Sequence, residues 1–341
     1  MELPPVFDRY RGEIDAELKS ALADYRLPLY RMLRYHLGWT DETGAALPGS
    51  AGKALRPTLC LLACEATAGA YGQALPAAAA LELVHNFSLI HDDIQDDDHE
   101  RRHRPTVWSI WGKPQAINAG TALRVIASLT MLRLGAHGVP AEKQLRGLRL
   151  LDESCLELIE GQYLDISFEE RLDVGVDEYL EMIEGKTASL IACSLALGAV
   201  LGTDDEDTIE ALRRFGRYVG LAFQIRDDVL GIWGRQEKTG KPVGSDIRRR
   251  KKSLPVVYAL QKAEGKARDE LGAIYQGESI DDGGLDTVLS ILASVQAKAR
   301  AQEMADEYCA RATAGVERLA LSPWARRSLV EMACFLAGRD Y

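Results

Sequence analysis

Apolar side chains recur at steps of three and four along almost the whole chain. Leu81, Val84, Phe87 and Ile90 are one example, and such steps keep one face of an α-helix apolar. Alternating patterns of the strand kind are almost absent, and Ala, Leu, Glu and Arg dominate. The periodicity predicts helices over 8–24, 27–37, 53–70, 74–97, 114–137, 140–168, 176–201, 205–233, 254–264, 266–276, 283–313 and 322–338. Two long connections stand out. One is the Gly-rich stretch 38–52, and the other is 234–253, rich in Gly and cations. No linker, repeat or low-complexity tract divides the chain, which predicts one all-α domain over 1–341.

Composition changes this picture little, but it excludes some functions. The 341 residues are 47% hydrophobic and 27% charged, as in ordinary globular proteins. A formal net charge of −10 argues against nucleic acid and against electrostatic docking on anionic lipid. It leaves room for a phosphorylated substrate where cations are concentrated locally. The six cysteines, at 60, 64, 155, 193, 309 and 334, form no C-x-x-C pair and sit in apolar helical surroundings, as reduced core thiols do. No leader pattern is visible in MELPPVFDRY, and no apolar run is read as reaching bilayer length, so a soluble cytoplasmic protein is expected.

The chemistry begins where the fourth predicted helix ends. Six of the ten residues from His91 to Glu100 are carboxylates, and Arg101 and Arg102 follow at once. Asp92 and Asp96, four apart, share one helical face, where like charges repel unless a cation sits between them. Mg²⁺ suits that place, because it takes one or two carboxylates and fills its shell with water and substrate phosphate. A solvated acidic helix end gives the same letters, but the apolar steps upstream pack this helix into a core. His85 lies on nearly the same face, seven residues before Asp92.

A second acidic pair lies in FQIRDDVLG. Gln224, Asp227 and Asp228 share a face among Phe223, Ile225, Val229 and Leu230, where unpaired charge is costly. Lys53, Arg56, Lys186, Lys241 and the run Arg248 to Lys252 add cations. Singly, each also suits an exposed surface. Together they offer Arg forks and Lys point charges for two diphosphates.

These residues resemble the trans-prenyltransferases, the short-chain polyprenyl diphosphate synthases, and most of all geranylgeranyl diphosphate synthases. HDDIQDDD with its Arg pair resembles the family's first aspartate-rich motif, and FQIRDDVLG resembles the second. GKALRP, GQYLDI, GKTASL and TGKPVGSDIRRRKKSLP resemble four further family elements, all in family order. The resemblance implies a helical bundle of the isoprenoid synthase type with a central apolar cavity, acting as a homodimer. It assigns Asp92, Asp96 and Asp227 to Mg²⁺. It assigns Arg101, Lys186, Gln224 and Lys241 to the diphosphate of an allylic substrate (dimethylallyl, geranyl or farnesyl), with Thr187 beside the developing cation. Lys53, Arg56, His85 and Arg102 would hold isopentenyl diphosphate, and Lys251 would close over it from the loop.

Two departures are visible. Gly231 stands where the second motif commonly has another Asp, and His103 and Arg104 stand where Gly and Lys are common. His103 suits either a phosphate contact or an exposed position. In the family, chain length is set four and five residues before the first motif, here Ser88 and Phe87. A bulky Phe87, and no insertion within the motif, imply a C20 product, with C15 next. Helix geometry alone puts Ser88 nearer the Asp92 face. A class I terpene cyclase would not need Lys53, Arg56 and His85. A non-catalytic regulatory subunit would tend to lose the aspartates or the Arg pair.

Overall fold

In a computed structural model of the chain, which describes residues 3–47, 52–234 and 243–338, helices account for nearly all regular structure. They are α1 (Val6–Ala21), α2 (Leu29–His36), α3 (Leu55–Ala68), α4 (Leu75–Gln95), α5 (Val107–Trp111), α6 (Lys113–Met131), α7 (Ala141–Phe168), α8 (Val176–Ile183), α9 (Ser189–Gly202), α10 (Glu206–Trp233), α11 (Ser245–Arg248), α12 (Leu254–Lys262), α13 (Gly265–Gln276), α14 (Asp282–Ser294), α15 (Ala297–Glu317) and α16 (Pro323–Ala337). The all-α reading from the sequence is the observed fold class.

The chain folds as two compact units. One comprises Pro5–Asp152 with Cys193–Ile209, and the other Met1–Pro4, Glu153–Ala192 and Glu210–Tyr341. The boundaries at 152, 192 and 209 fall inside α7, α9 and α10, not in linkers.

In the first unit α4 is the central helix. Leu81, Val84 and Ile90 are buried as their spacing predicts, and Ala77 to Ala80 bury the remaining faces of its first turns. It packs most extensively on α6. Gly120 makes that approach possible, since a Cβ there would lie 2.4 Å from the His91 ring. Gly198 does the same for the crossing of α9 on α3, where a Cβ would lie 2.1 Å from the Cys60 carbonyl oxygen. The second unit buries two apolar clusters. One centres on Phe168, Tyr179, Ile225 and Met304, and the other on Ile232, Ile247, Leu271 and Leu292.

Four features differ from the sequence reading. A single helix was expected over 283–313, but Val295–Gln296 separates α14 from α15, with Gln296 at φ 56° in the left-handed region. No Gly marks that break. The expected helix 176–201 is continuous in path but contains a π-helical turn at Glu184–Ala188. Residues 100–105 form a small antiparallel hairpin, β1 (Glu100–Arg101) with β2 (Arg104–Pro105). Finally, Val176–Gly202 spans 27 residues at a mean hydropathy of 1.5, long and apolar enough to cross a bilayer. This corrects the reading that no apolar run reaches that length. Its most apolar stretch is 83% buried within the protein, as in the core helix of a globular fold.

Candidate functional site

Asp92 and Asp96 stand at the C-terminal end of α4, and Asp96 is its C-cap. The helix dipole is negative there, so carboxylates are disfavoured by roughly 0.3–1 kcal/mol each at a solvated helix end. Both remain at least partly exposed, whereas their neighbour Asp93 is 1% exposed. Asp93 accepts a hydrogen bond from Arg101 Nε at 2.6 Å, and its other oxygen is buried without a partner. Burial pushes its carboxyl up to about 6, against the pull of Arg101. Beyond the helix, Lys113 pairs with Asp97, which lies at φ 51°, and Trp108 Nε1 donates to the Asp98 carbonyl at 2.9 Å.

The hairpin carries the Arg pair. Its turn residues, Arg102 and His103, both have positive φ, 54° and 60°. This is the geometry of a type I′ turn, which favours Gly and Asn. Arg101, on β1, reaches Asp93. Arg102 rests its guanidinium on Gly52, where a Cβ would be 3.4 Å from it. Arg104 is a scaffold residue. It donates to the Thr40 carbonyl at 2.9 Å and to the Tyr35 carbonyl at 3.3 Å, and stacks over the Tyr35 ring at 4.1 Å. His103 is an exposed surface residue whose nearest acidic partner is Glu100, at 3.9 Å. A cavity of about 310 Å³ opens here, lined among others by His36, Asp93, Arg101, Arg102 and Arg104.

Arg56, His85 and Arg102 form one electrostatic group with Glu82 of α4. Burial draws the Arg56 guanidinium down to about 10, and Glu82 opposes this. Burial pushes the Glu82 carboxyl up, and Arg56 and an Asn86 hydrogen bond pull it back. His85 is held well below the usual imidazole range by burial and then by Arg56, Arg102 and Arg101. His36 is drawn to about 3 by burial, then by Arg102 and Arg101. Lys53 is exposed just before α3. Phe87 is buried and meets His91 edge to face at 5.0 Å, and Ser88 Oγ donates to the His85 carbonyl at 2.8 Å.

In the second unit the π turn organises the remaining residues. Gly161 of α7 meets it so closely that a Cβ there would lie 2.1 Å from the Lys186 backbone nitrogen. A Cβ on Gly185 would lie 2.7 Å from the Glu157 carbonyl oxygen, and one on Gly220 of α10 would lie 2.5 Å from Ala188 Cα. Three glycines thus let three helical segments touch backbone to backbone. At the crossing, Lys186 pairs with Asp165. Thr187 Oγ1 donates to Gln224 Oε1 at 2.8 Å, and Gln224 Nε2 donates to Asp228 Oδ1 at 3.1 Å. Asp228 is fully buried and also accepts from Tyr179 Oη and, at 2.9 Å, from Leu254 N. Asp227, its neighbour, is exposed.

Lys251 lies with this second acidic motif, its Nζ 3.6 Å from Asp228 Oδ1 and 3.9 Å from Asp246 Oδ2. Burial works against its charge. Asp228, Asp246, Asp165 and Asp227 outweigh that and hold its ammonium above the usual lysine range. Lys241 falls outside the described residues. Among the described residues no three His, Cys, Asp or Glu side chains converge as a ready metal cage. Mg²⁺ needs none, since one or two carboxylates with water and phosphate suffice; in the first unit Asp92 is half-buried and Asp96 exposed, and either carboxylate is of the kind Mg²⁺ takes.

Residue-type reasoning singled out the motif carboxylates but missed His36, and missed Glu82, Tyr179 and Asp246, which face Arg56, Asp228 and Lys251. Only Asp165 carried a usable signal, as the last residue of the GQYLD element. A further feature is apolar. Ile117, Val125, Leu129 and Leu132 lie exposed along α6 and just beyond it, and Leu156, Ile159, Tyr163 and Ile166 along α7.

The polyprenyl synthetase family model matches residues 38–292. The chain is 46% identical over 271 residues to a geranylgeranyl diphosphate synthase of Mycobacterium tuberculosis, covering 80% of this chain and 76% of that one. It is equally 46% identical over 264 residues to a (2E,6E)-farnesyl diphosphate synthase of Mycobacterium bovis, covering 77% and 72%. The crystal structure of a polyprenyl synthetase from Streptomyces coelicolor superposes with a TM-score of 0.90 at 37% identity, covering 98% and 99% of the two chains. A geranylgeranyl pyrophosphate synthase from Corynebacterium glutamicum, complexed with isoprenyl diphosphate and magnesium, gives 0.83 at 26% identity, covering 99% and 100%. With its two aspartate-rich helices and the cations around them, the chain belongs to the polyprenyl synthetase family and is a short-chain prenyl diphosphate synthase.

Proposed function

We propose that this prenyltransferase extends an allylic diphosphate with isopentenyl diphosphate, by 1′-4 condensation, to an all-trans C20 product. The observation that carries the elongation reading is the group Arg56, His85 and Arg102 on and around α4, the helix that ends in Asp92 and Asp96. A cyclase ionises one diphosphate and has no use for a second cationic group.

Asp92, Asp96 and Asp227 would hold Mg²⁺. When bound, Mg²⁺ neutralises charge on the departing diphosphate as a Lewis acid. The magnesium in the Corynebacterium glutamicum structure supports this reading. Arg101, Lys186, Gln224 and Lys241 bind the allylic diphosphate. The ion pairs Arg101–Asp93 and Lys186–Asp165 hold two of these cations ready. Thr187 lies beside the carbon that loses diphosphate. Lys53, Arg56, His85 and Arg102 hold isopentenyl diphosphate so that its double bond attacks the allylic cation. A proton then leaves the product, taken by the departing diphosphate. The reaction requires that water be kept from the cation.

Residues 1–341 act as one catalytic domain, a reading supported by unit boundaries that fall inside helices. The exposed apolar stripes of α6 and α7 support a homodimer, tested by sedimentation. Six free cysteines suit a cytoplasmic enzyme.

The C20 length rests on the buried Phe87. A C15 product is the second reading, favoured by the equally similar farnesyl diphosphate synthase. Incubating the protein with Mg²⁺, isopentenyl diphosphate and C5, C10 or C15 primers, then sizing the products, decides between them. C20 from all three supports the proposal. Arrest at C15 favours the second reading, and no elongation from any primer overturns both. Phe87→Ala is expected to lengthen the product; an unchanged chromatogram would place the tunnel floor elsewhere.

A further inference from the structure

The hairpin that carries the Arg pair cannot hold itself. It has two residue pairs, Glu100 with Pro105 and Arg101 with Arg104, and an isolated two-stranded hairpin is marginal at best. Its turn residues, Arg102 and His103, are not Gly, yet both take left-handed φ. Such positions persist only where the surroundings over-determine them. The guanidiniums of Arg101, Arg102 and Arg104 all draw His36 down, so the hairpin also gathers like charges around one point.

Arg104 provides the outside hold. Its fork grips α2 and the chain just beyond. Nη1 donates to the Tyr35 carbonyl at 3.3 Å and Nη2 to the Thr40 carbonyl at 2.9 Å, and the guanidinium lies over the Tyr35 ring. Tyr35 is buried and answers from its other end. Its Oη donates to the Pro105 carbonyl at 2.7 Å, and its ring meets Trp111 edge to face at 5.1 Å. Thr40 is itself fixed. It bridges to Ala46, Leu47 N donates to the Trp39 carbonyl at 2.9 Å, and the Asp41 carboxylate accepts from Thr43 N and Ala45 N, each at 2.9 Å. Both bonded nitrogens of Arg104 thus face backbone carbonyls, so its part is to hold. A lysine could reach one carbonyl, but could neither fork across two nor lie flat on the ring. Arg101 has a separate anchor in Asp93, whereas Arg102 reaches Gly52 from the turn itself.

We propose that Arg104, clasped to Tyr35, is a positioning residue for isopentenyl diphosphate: it fixes the strained turn so that Arg102 meets that diphosphate, while Arg101 keeps its own anchor at the first acidic motif. His103 and Arg104, the two departures in this segment, are then one coupled change. The first resists the backbone state of the turn, and the second holds the turn in it. The inference rests on the function proposed above.

The test uses the full-length protein, steady-state elongation with each substrate varied in turn, and thermal melts. Arg104→Lys is expected to raise KM for isopentenyl diphosphate by about tenfold and to leave KM for the allylic diphosphate within about twofold, an effect inside the roughly hundredfold that a misplacement of about 1 Å can cause. Tyr35→Phe keeps the ring and loses only the hydroxyl, and should shift the same KM in the same direction by less. Arg104→Lys with Arg102→Ala should be no worse for isopentenyl diphosphate than Arg102→Ala alone, because the clasp acts through Arg102. A purely structural role would move both KM values and the melting curve together, and would add to the Arg102→Ala loss. An unchanged KM for isopentenyl diphosphate in Arg104→Lys overturns the proposal, as does an equal rise in both KM values or simple additivity with Arg102→Ala. If Arg104→Lys does not fold, Tyr35→Phe decides by the same comparisons. A wild-type protein that elongates no primer would sink the proposed function instead, so the two failures are distinguishable.

Discussion

The two aspartate-rich motifs look alike as strings of letters but are built by different means. Each contains adjacent aspartates, one buried and one more open: Asp92 is half-buried and Asp227 exposed. In the first motif the buried member, Asp93, sits near the negative end of α4 and is answered by one guanidinium, with an oxygen left over. In the second the buried member, Asp228, sits within α10 and receives donors from Tyr179, Gln224 and Leu254, with Lys251 nearby. The first motif gathers its carboxylates at the negative end of a helix dipole, where a cation has most to gain. The second is braced beforehand by neutral donors and an ammonium. Adjacent Asp residues are therefore not equivalent ligands. The more open member can be reached by a ligand, and the buried one is part of the frame.

That division can be broken deliberately. The largest expected effect falls on the more open carboxylates. Asp92→Ala and Asp227→Ala should each lower kcat by about a thousandfold, a loss of several kcal/mol in transition-state stabilisation, while the melting curve stays near wild type. Near wild-type turnover at saturating Mg²⁺ would remove them from the metal role. Asp228→Ala should act mainly on folding, at about 1–3 kcal/mol, because it leaves the buried donors of Tyr179 and Leu254 without their acceptor. Urea denaturation measures this, and a loss below about 1 kcal/mol would show that the brace carries no weight.

A smaller effect comes from the histidines near the first motif. His36 and His85 are held below the usual imidazole range, so the unfolded chain binds more protons than the fold below about pH 6.5. Stability is therefore fully present above that pH and falls as pH drops towards 3, by at most about 1.4 kcal/mol per pH unit per histidine. Replacing His36 with Asn should flatten this slope in denaturation curves taken from pH 7 to 4; an unchanged slope would remove His36 from the account. The smallest effect is at the hairpin. His103→Gly relieves a left-handed residue and should raise stability by about 1 kcal/mol, read as a higher melting temperature.

Periodicity was enough to read α4, because Leu81, Val84 and Ile90 report one buried face directly. The acidic pairs were equally legible, since charge inside an apolar helix is conspicuous. What stayed hidden depends on backbone states that the letters do not announce. Gln296 and Arg250 take left-handed conformations without being Gly, so a helix break and the turn after α11 left no mark. The close contact of Gly231 with Asp246 joins residues that a loop separates, and an absent side chain gives no signal at all. Glu82 and Tyr179 read as ordinary helix residues, because their burial is decided by neighbours distant in the chain.

The turn at Glu184–Ala188 holds one residue more than an α-helical turn requires. Each inserted residue rotates everything downstream by about 100° about the helix axis. A helical wheel drawn straight through 176–202 would therefore misplace one half against the other. Tyr179, on one side of this phase slip, and Ser189, on the other, are aimed independently, although they lie on one continuous rod. Deleting a single residue here would leave composition and hydropathy almost untouched and yet swing Lys186 and Thr187 out of alignment with Asp165 and Gln224. In this enzyme the aim of Lys186 and Thr187 is stored in a miscount.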